Sequence, residues 1–456
     1  MRRSLLALLA AAALALPGAA PASEPAPPPP GDISDNVEFI ANLPEASMAI
    51  AVGFIGDTLF VSTVTGIFSY DISDPAAPEL LGVLPMYIWQ NEDMDIDVER
   101  ELLFVSRDPR GFTTQVSSGS TFPYGAVHIV DVSNPAAMLP VSNFLVPAGH
   151  TSTCVNGCDY LWTGGPTANT RTNPGMDGRP IYATDITDPM APVACPDPID
   201  IARNDGITDY AHDVQVDAMG VAWVSGAGGV RGYWTSGEHL DPTTGETREA
   251  TGCDPVPYGG GGTPSSATPS RFMHNSQRNL ALSIPDQEDS EGMVLAATEE
   301  AISSNCASSG RLATYDVRSS LQGQGWNEVE TFRMRALDTW TPEGAEGATG
   351  CASAHYFDDR GDGLLAHAFY GQGVRFLDIS DPTDIRQVGY FRPDEGNAWA
   401  AYWRGDLVFI PHNGRGVDIV RYDGDGGGAD PLVTAPTLAV ALPPMDPASG
   451  YLCPLT

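Results

Sequence analysis

The sequence contains no lysine: all 23 basic residues are arginine, and 58 acidic residues leave a formal net charge of −35. Lysine Schiff-base chemistry is thereby excluded, because the nucleophile is absent. The shortage of positive charge also argues against nucleic acid and anionic membrane surfaces as partners. Zinc-type cysteine clustering is missing, since of the seven cysteines only Cys154 and Cys158 stand close together. No Gly-x-Ser-x-Gly elbow, P-loop or dinucleotide fingerprint occurs in a strand–turn–helix setting. The glycine run after Tyr258 has neither the following lysine nor a helix, and reads as a loop. The one sustained apolar run, Leu5 to Leu16, is too short to cross a bilayer, so no membrane span is expected.

That run follows Met1-Arg2-Arg3 and precedes Ala20-Pro21-Ala22, a small-x-small cleavage pattern. Residues 1–22 therefore read as a cleaved signal peptide, by the general or the twin-arginine route, and imply a secreted protein. In that compartment the cysteines (154, 158, 195, 253, 306, 351 and 453) are expected in disulfides with one left over, in a pairing that spacing cannot fix. Residues 23–35 form a Pro-rich leader and 425–456 a Gly/Pro-rich tail, both expected to be flexible.

Between them the chain repeats itself. Gly66-IFSYDISDPAAPELLGVLP, Gly125-AVHIVDVSNPAAMLPVSNFLVP, Ile181-YATDITDPMAPVA and Gly373-VRFLDISDPTDIRQVGYF share one pattern. Each is an alternating apolar strand, an Asp-Ile/Val-Ser/Thr-Asp/Asn-Pro corner and a second strand. Worn copies begin at Gly310 and Gly416. In the corner, Asp and Ser side chains can bond backbone N–H groups while Pro ends the ladder, so these Asp residues are structural. The four clear copies resemble the LVIVD-repeat family, and the resemblance extends over residues 37 to 424. It implies an all-β fold, a β-propeller of four-stranded antiparallel blades, and little about function.

Placing the motif on the third and fourth strands of each blade predicts seven blades over 36–424. The seventh lacks a fourth strand, and Asn36 to Pro44 looks like a fourth strand without a blade, so this N-terminal strand is expected to close the ring. Six or eight blades would also accommodate the irregular fourth repeat. Long insertions, Arg107 to Tyr124, Gly164 to Gly178 and Glu299 to Ser309, fall between second and third strands and mark one rim as the binding face. The stretch Thr235 to Ser270 is expected to be irregular and to lead toward the next innermost strand. Arg360-Gly361-Asp362 reads as a tight turn, and Trp223, Trp234, Trp399 and Trp403 as blade packing.

Four of eight histidines open the innermost strand of consecutive blades: His150, His212, His274 and His355, separated by 62, 62 and 81 residues. This register brings four imidazoles to the channel mouth on the loop-rich face, where neutral rings can ligate a transition metal. Copper or iron is favoured over zinc by the lack of Cys or carboxylate at equivalent positions. Glu299, Glu300 and Asp213 are candidate proton-transfer groups, with Glu92 and Asp93 as orienting acids. His367 and His412 end second strands on the same face; His128 and His239 lie elsewhere. The centre is similar in architecture to the four-histidine iron site of carotenoid-cleaving propellers and to histidine-bearing propellers of the selenium-binding/methanethiol oxidase family, without their sequence motifs. A second reading makes the histidines hydrogen-bonding posts before the inner strands, copied by descent. The expectation is a monomeric metal-dependent oxidoreductase taking a small molecule or surface ligand at the loop-rich face. The alternatives are a non-catalytic binding or scaffold propeller, and a zinc-dependent hydrolase or lyase.

Overall fold

The computed structural model describes residues 31–92, 94–108, 125–165, 178–199, 209–264, 271–301, 310–321, 334–342 and 353–427. Its strands form seven antiparallel blades. The first four strands after the N-terminal segment, from Ala49–Ile55 to Glu79–Pro85, make blade one. The innermost strands of blades two to seven are Met94–Asp97, Thr151–Val155, Asp209–Val216, Arg271–Asn279, Phe357–Asp359 and Tyr402–Arg404.

Alternation along each strand decides the architecture. In Leu102–Arg107, the side chains of Leu103 and Val105 join an apolar cluster shared with blade one. Leu102 and Phe104 join the cluster shared with blade three. The same two-faced burial recurs around the molecule, giving seven apolar clusters, one at each blade boundary. The last of these packs Phe409 and Ile419 of blade seven against Val52, Leu59 and Val61 of blade one.

Ring closure follows the sequence expectation. Val37–Leu43 pairs antiparallel with Gly416–Tyr422 and supplies the missing fourth strand of blade seven. Asn42 Nδ2 secures the seam by donating to Asp418 Oδ1 at 2.8 Å. Gly31–Ile33, from the expected leader, pairs with Arg386–Pro393 as a fifth strand of blade six.

The repeated corners are the expected side-chain turns. Ser73 N–H donates to Asp71 Oδ1 at 2.8 Å, and Ser133 to Asp131, Thr187 to Asp185 and Ser380 to Asp378 do the same within 3.0 Å. Arg360 and Asp362 pair within their turn, and Arg360 also donates to the Gly426 carbonyl, which accounts for that tripeptide structurally. Trp223, Trp399 and Trp403 are buried in blade-boundary clusters, whereas Trp234 is half-buried at the edge of one.

One expectation needs correction. Thr235 to Ser270 is not simply irregular: Gly237–Leu240 and Thr247–Ala250 form a hairpin. Val256–Pro257 then completes blade four. The hairpin therefore belongs to the connection between third and fourth strands, opposite the loop-rich rim. Its polar strands bury little, so alternation did not reveal it. A disulfide from Cys195 to Cys253 and a Trp162 Nε1–H bond to the Gly252 carbonyl at 2.8 Å tie this connection to blade three. Cys154 and Cys158 form a second disulfide, while Cys306, Cys351 and Cys453 lie outside the described residues. No helix among the described residues is long and apolar enough to cross a membrane.

Gly416 begins the third strand of blade seven at φ 85°, and a Cβ there would lie 1.9 Å from the Leu43 carbonyl oxygen of the closing strand. Gly414, two residues earlier at φ 93°, faces open space. Gly414→Ala should therefore cost only backbone strain, about 1–2 kcal/mol. Gly416→Ala should cost several times more and lower the thermal midpoint markedly, as read by calorimetry. Equal midpoints would mean that the seam does not carry the ring. Replacing Cys195 and Cys253 together by Ala should remove roughly 2–4 kcal/mol, measured by denaturant unfolding.

Candidate metal centre

The four predicted histidines converge at the channel. Their ring centroids lie 5.1 Å apart for His150–His212, 4.2 Å for His212–His274 and 4.0 Å for His274–His355. All four are fully buried. Two of them sit at irregularities in their strands: the register of the innermost ladder shifts between Ala211 and Asp213, and between Met273 and Ser276. Such bulges re-aim side chains.

One nitrogen of a ring is spent on holding blades together. His355 Nδ1–H donates to the Trp399 carbonyl of blade seven at 2.6 Å. His212 Nδ1 lies 3.2 Å from the His274 carbonyl of blade five. The post reading fits His212 and His355, and there it concerns only Nδ1. Each such bond fixes the tautomer and leaves Nε2 of a neutral ring as a lone pair. His355 Nε2 has no hydrogen-bond partner among the described residues.

The carboxylates change the expected ligand set. Glu92 stands two residues ahead of the innermost strand of blade two, as His355 does ahead of that of blade six. Its Oε2 contacts His150 Nε2 and lies 3.0 Å from His212 Nε2. Asp108, at the end of a second strand, meets His150 Nδ1 at 2.7 Å. Glu300 Oε2 lies 3.8 Å from His274 Nε2, while Glu300 Oε1 accepts the Tyr370 hydroxyl at 2.5 Å. Tyr370 is held at φ 41° in the connection after Leu364–Ala368, with its ring 4.6 Å from that of His355. Strained backbone of this kind concentrates at working sites.

Two groups therefore have metal-ligating composition: Glu92, His212 and His274, and His274, Glu300 and His355. Within each, the donor atoms lie within 4.8 Å of one another. The expected all-histidine shell gives way to mixed imidazole–carboxylate sets, with His150 linked through Glu92. The ground for preferring copper or iron over zinc, the lack of a carboxylate, is removed with it.

The remaining candidates separate. Glu299 points away from Glu300, as neighbours on a strand must, and is bound to Arg311 Nε at 2.5 Å. Asp213 is buried beside His212, where Gln215 Nε2–H donates to it at 3.1 Å. Burial pushes its carboxyl up, against hydrogen bonds from Gln215 and Tyr356. Tyr356 packs edge-on to His274 at 4.5 Å. His367 is buried near His355; His412 pairs with Asp418 at 3.0 Å at the seam. His128 lies on the third strand of blade two, and His239 stacks on Trp234 in the hairpin. Asp93 and the three long rim connections (109–124, 166–177 and 302–309) lie outside the described residues, although the flanking strands place each connection between a second and a third strand.

The comparisons agree with this architecture. Residues 125–146 match the family model of the LVIVD repeat. No curated protein matches the chain in sequence. Among solved structures, the periplasmic gluconolactonase of Pseudomonas aeruginosa superposes with a TM-score of 0.50 at 14% identity, over 83% of this chain and 94% of that one. The WD40 β-propeller domain of Doa1 gives 0.49 at 9% identity, over 85% and 97%. The extracellular domain of a putative one component system from B. thetaiotaomicron gives 0.49 at 11%, over 84% of this chain but 40% of that one. The first of these likenesses speaks to the fold alone.

Burial drives His274, His355 and His367 toward neutrality. His274 is held well below the ordinary histidine value by desolvation and then by its histidine neighbours. Desolvation takes His355 and His367 down to about 3. The unfolded chain takes up these protons near pH 6.5, so the stability they supply is complete above that value and is lost as pH falls toward about 3. His367→Leu, which removes one such ring, should shift the acid-unfolding midpoint, followed by tryptophan fluorescence, to lower pH. An unchanged midpoint would show that this ring does not set acid sensitivity.

Proposed function

We propose that the protein is an exported metalloenzyme, an oxidoreductase that acts on a small molecule at a transition ion held by His212, His274 and His355 with Glu92 and Glu300. The carrying observation is the meeting of His212 Nε2 and Glu92 Oε2 at 3.0 Å while His212 Nδ1 faces a carbonyl oxygen. With Nδ1–H on that carbonyl, Nε2 of a neutral ring is an acceptor facing the Glu92 carboxylate, a pair that a proton or a metal ion between them would satisfy. The donors fit the group. Two imidazoles and a carboxylate with open positions suit non-haem iron, and the same set suits zinc. The ion would supply Lewis acidity or electrons. The chain's own residues would hold it, with Tyr370 fixing the Glu300 carboxylate and Asp213 beside Tyr356 placed to hold a proton. The acidic chain favours a neutral or cationic substrate. Two disulfides support an oxidising compartment.

The zero exposure of every ligand favours a second reading, a closed ion that holds together a non-catalytic binding propeller. Elemental analysis of the purified protein should find iron, zinc or copper at one or more ions per chain. The metal should be lost in His274→Ala and kept in His128→Gln. Metal-free protein that stays metal-free after reconstitution would end the proposal. Azide added to the Co2+-substituted protein then separates the readings: a changed visible spectrum reports an open ligand position, and an unchanged one supports the closed ion.

A further inference from the structure

We infer that the channel holds two ions rather than one, with His274 shared between them; this rests on the metal reading above. A single ion with bonds of about 2.0–2.2 Å needs all its donors within roughly 4.4 Å of one another. Taken within 4.8 Å of one another, the donors here fall into two sets of two imidazoles and one carboxylate, which overlap only at His274. The rings follow one another from His150 to His355, with neighbouring centroids 5.1, 4.2 and 4.0 Å apart.

Each set has its own supports. On one side His212 Nδ1 is committed to the His274 carbonyl, and Glu92 also meets His150, itself held by Asp108. On the other, the Tyr370 hydroxyl holds Glu300 Oε1, and the Trp399 carbonyl holds His355 Nδ1, leaving its Nε2 unpartnered in a side chain with no exposure. An imidazole can meet two ions only through its two nitrogens. Binding the second ion therefore releases the remaining His274 ring proton to solvent.

Native mass spectrometry of the full chain, stripped and refilled with Zn2+ alone, tests this. Two zinc ions per chain are expected in the unaltered protein, and one in each of His212→Asn and His355→Asn. Asparagine keeps a side-chain donor for the His274 and Trp399 carbonyls. One zinc in the unaltered protein would overturn the two-ion inference and leave the metal reading standing, whereas none would overturn both. If the variants do not fold, the unaltered protein loaded with Cu2+ decides. Two copper ions bridged by one ring couple, so the paramagnetic signal should fall well short of two spins per chain. A full two-spin signal would overturn the bridge.

Discussion

The inner strands of this ring are buried on both faces, while the outer ones meet water, and that constraint organises the rest. A strand such as Leu102–Arg107 gives alternate side chains to two different neighbours, so no blade has a face of its own to show water. The arrangement is stable only if the last blade meets the first. The seventh apolar cluster and the Val37–Leu43 strand provide that meeting, and the blades turn their polar innermost edges to a common channel.

What lies in the channel then follows from the blade joints. An inner-strand imidazole that reaches across to the next blade's carbonyl does two things with one ring: Nδ1 ties blades, and Nε2 is presented in a water-excluded space. The structural and the functional reading of these histidines are therefore compatible. The strand bulges at His212 and His274 add the rotation that brings neighbouring rings to centroid distances near 4 Å.

The fold was legible because its information is local and repeated. The Asp-Ile/Val-Ser/Thr-Asp/Asn-Pro corner occurs in near-identical form, and Asn36 to Pro44 stands out as a strand without a blade. The four histidines were legible by register, although only His150 and His355 precede their inner strands, while His212 and His274 lie at bulges within theirs. The carboxylates were harder. Glu92 holds the same place in blade two but is not a histidine, so a search by residue type treats it as a neighbour of the site rather than a member. Glu299 and Glu300 differ only in strand parity, which the ladder decides. Asp108 and Tyr370 enter from second strands and their connections, where neither period nor motif marks them. The hairpin at Gly237–Ala250 was invisible because its side chains stay largely in water.

The closing strand also sets an order of events. Val37–Leu43 is made before blades one to six, and its partner Gly416–Tyr422 after them. Blades one to six can assemble from neighbours in sequence, but the seam cannot form until more than three hundred residues have emerged between its halves. A contact of such separation is slow to find. Until then an apolar edge with unpaired backbone groups stays open at each end of the growing array. The molecule thus spends its synthesis as an incomplete arc and becomes a ring in one late step, and the blades that contribute the channel ligands take their final spacing only then.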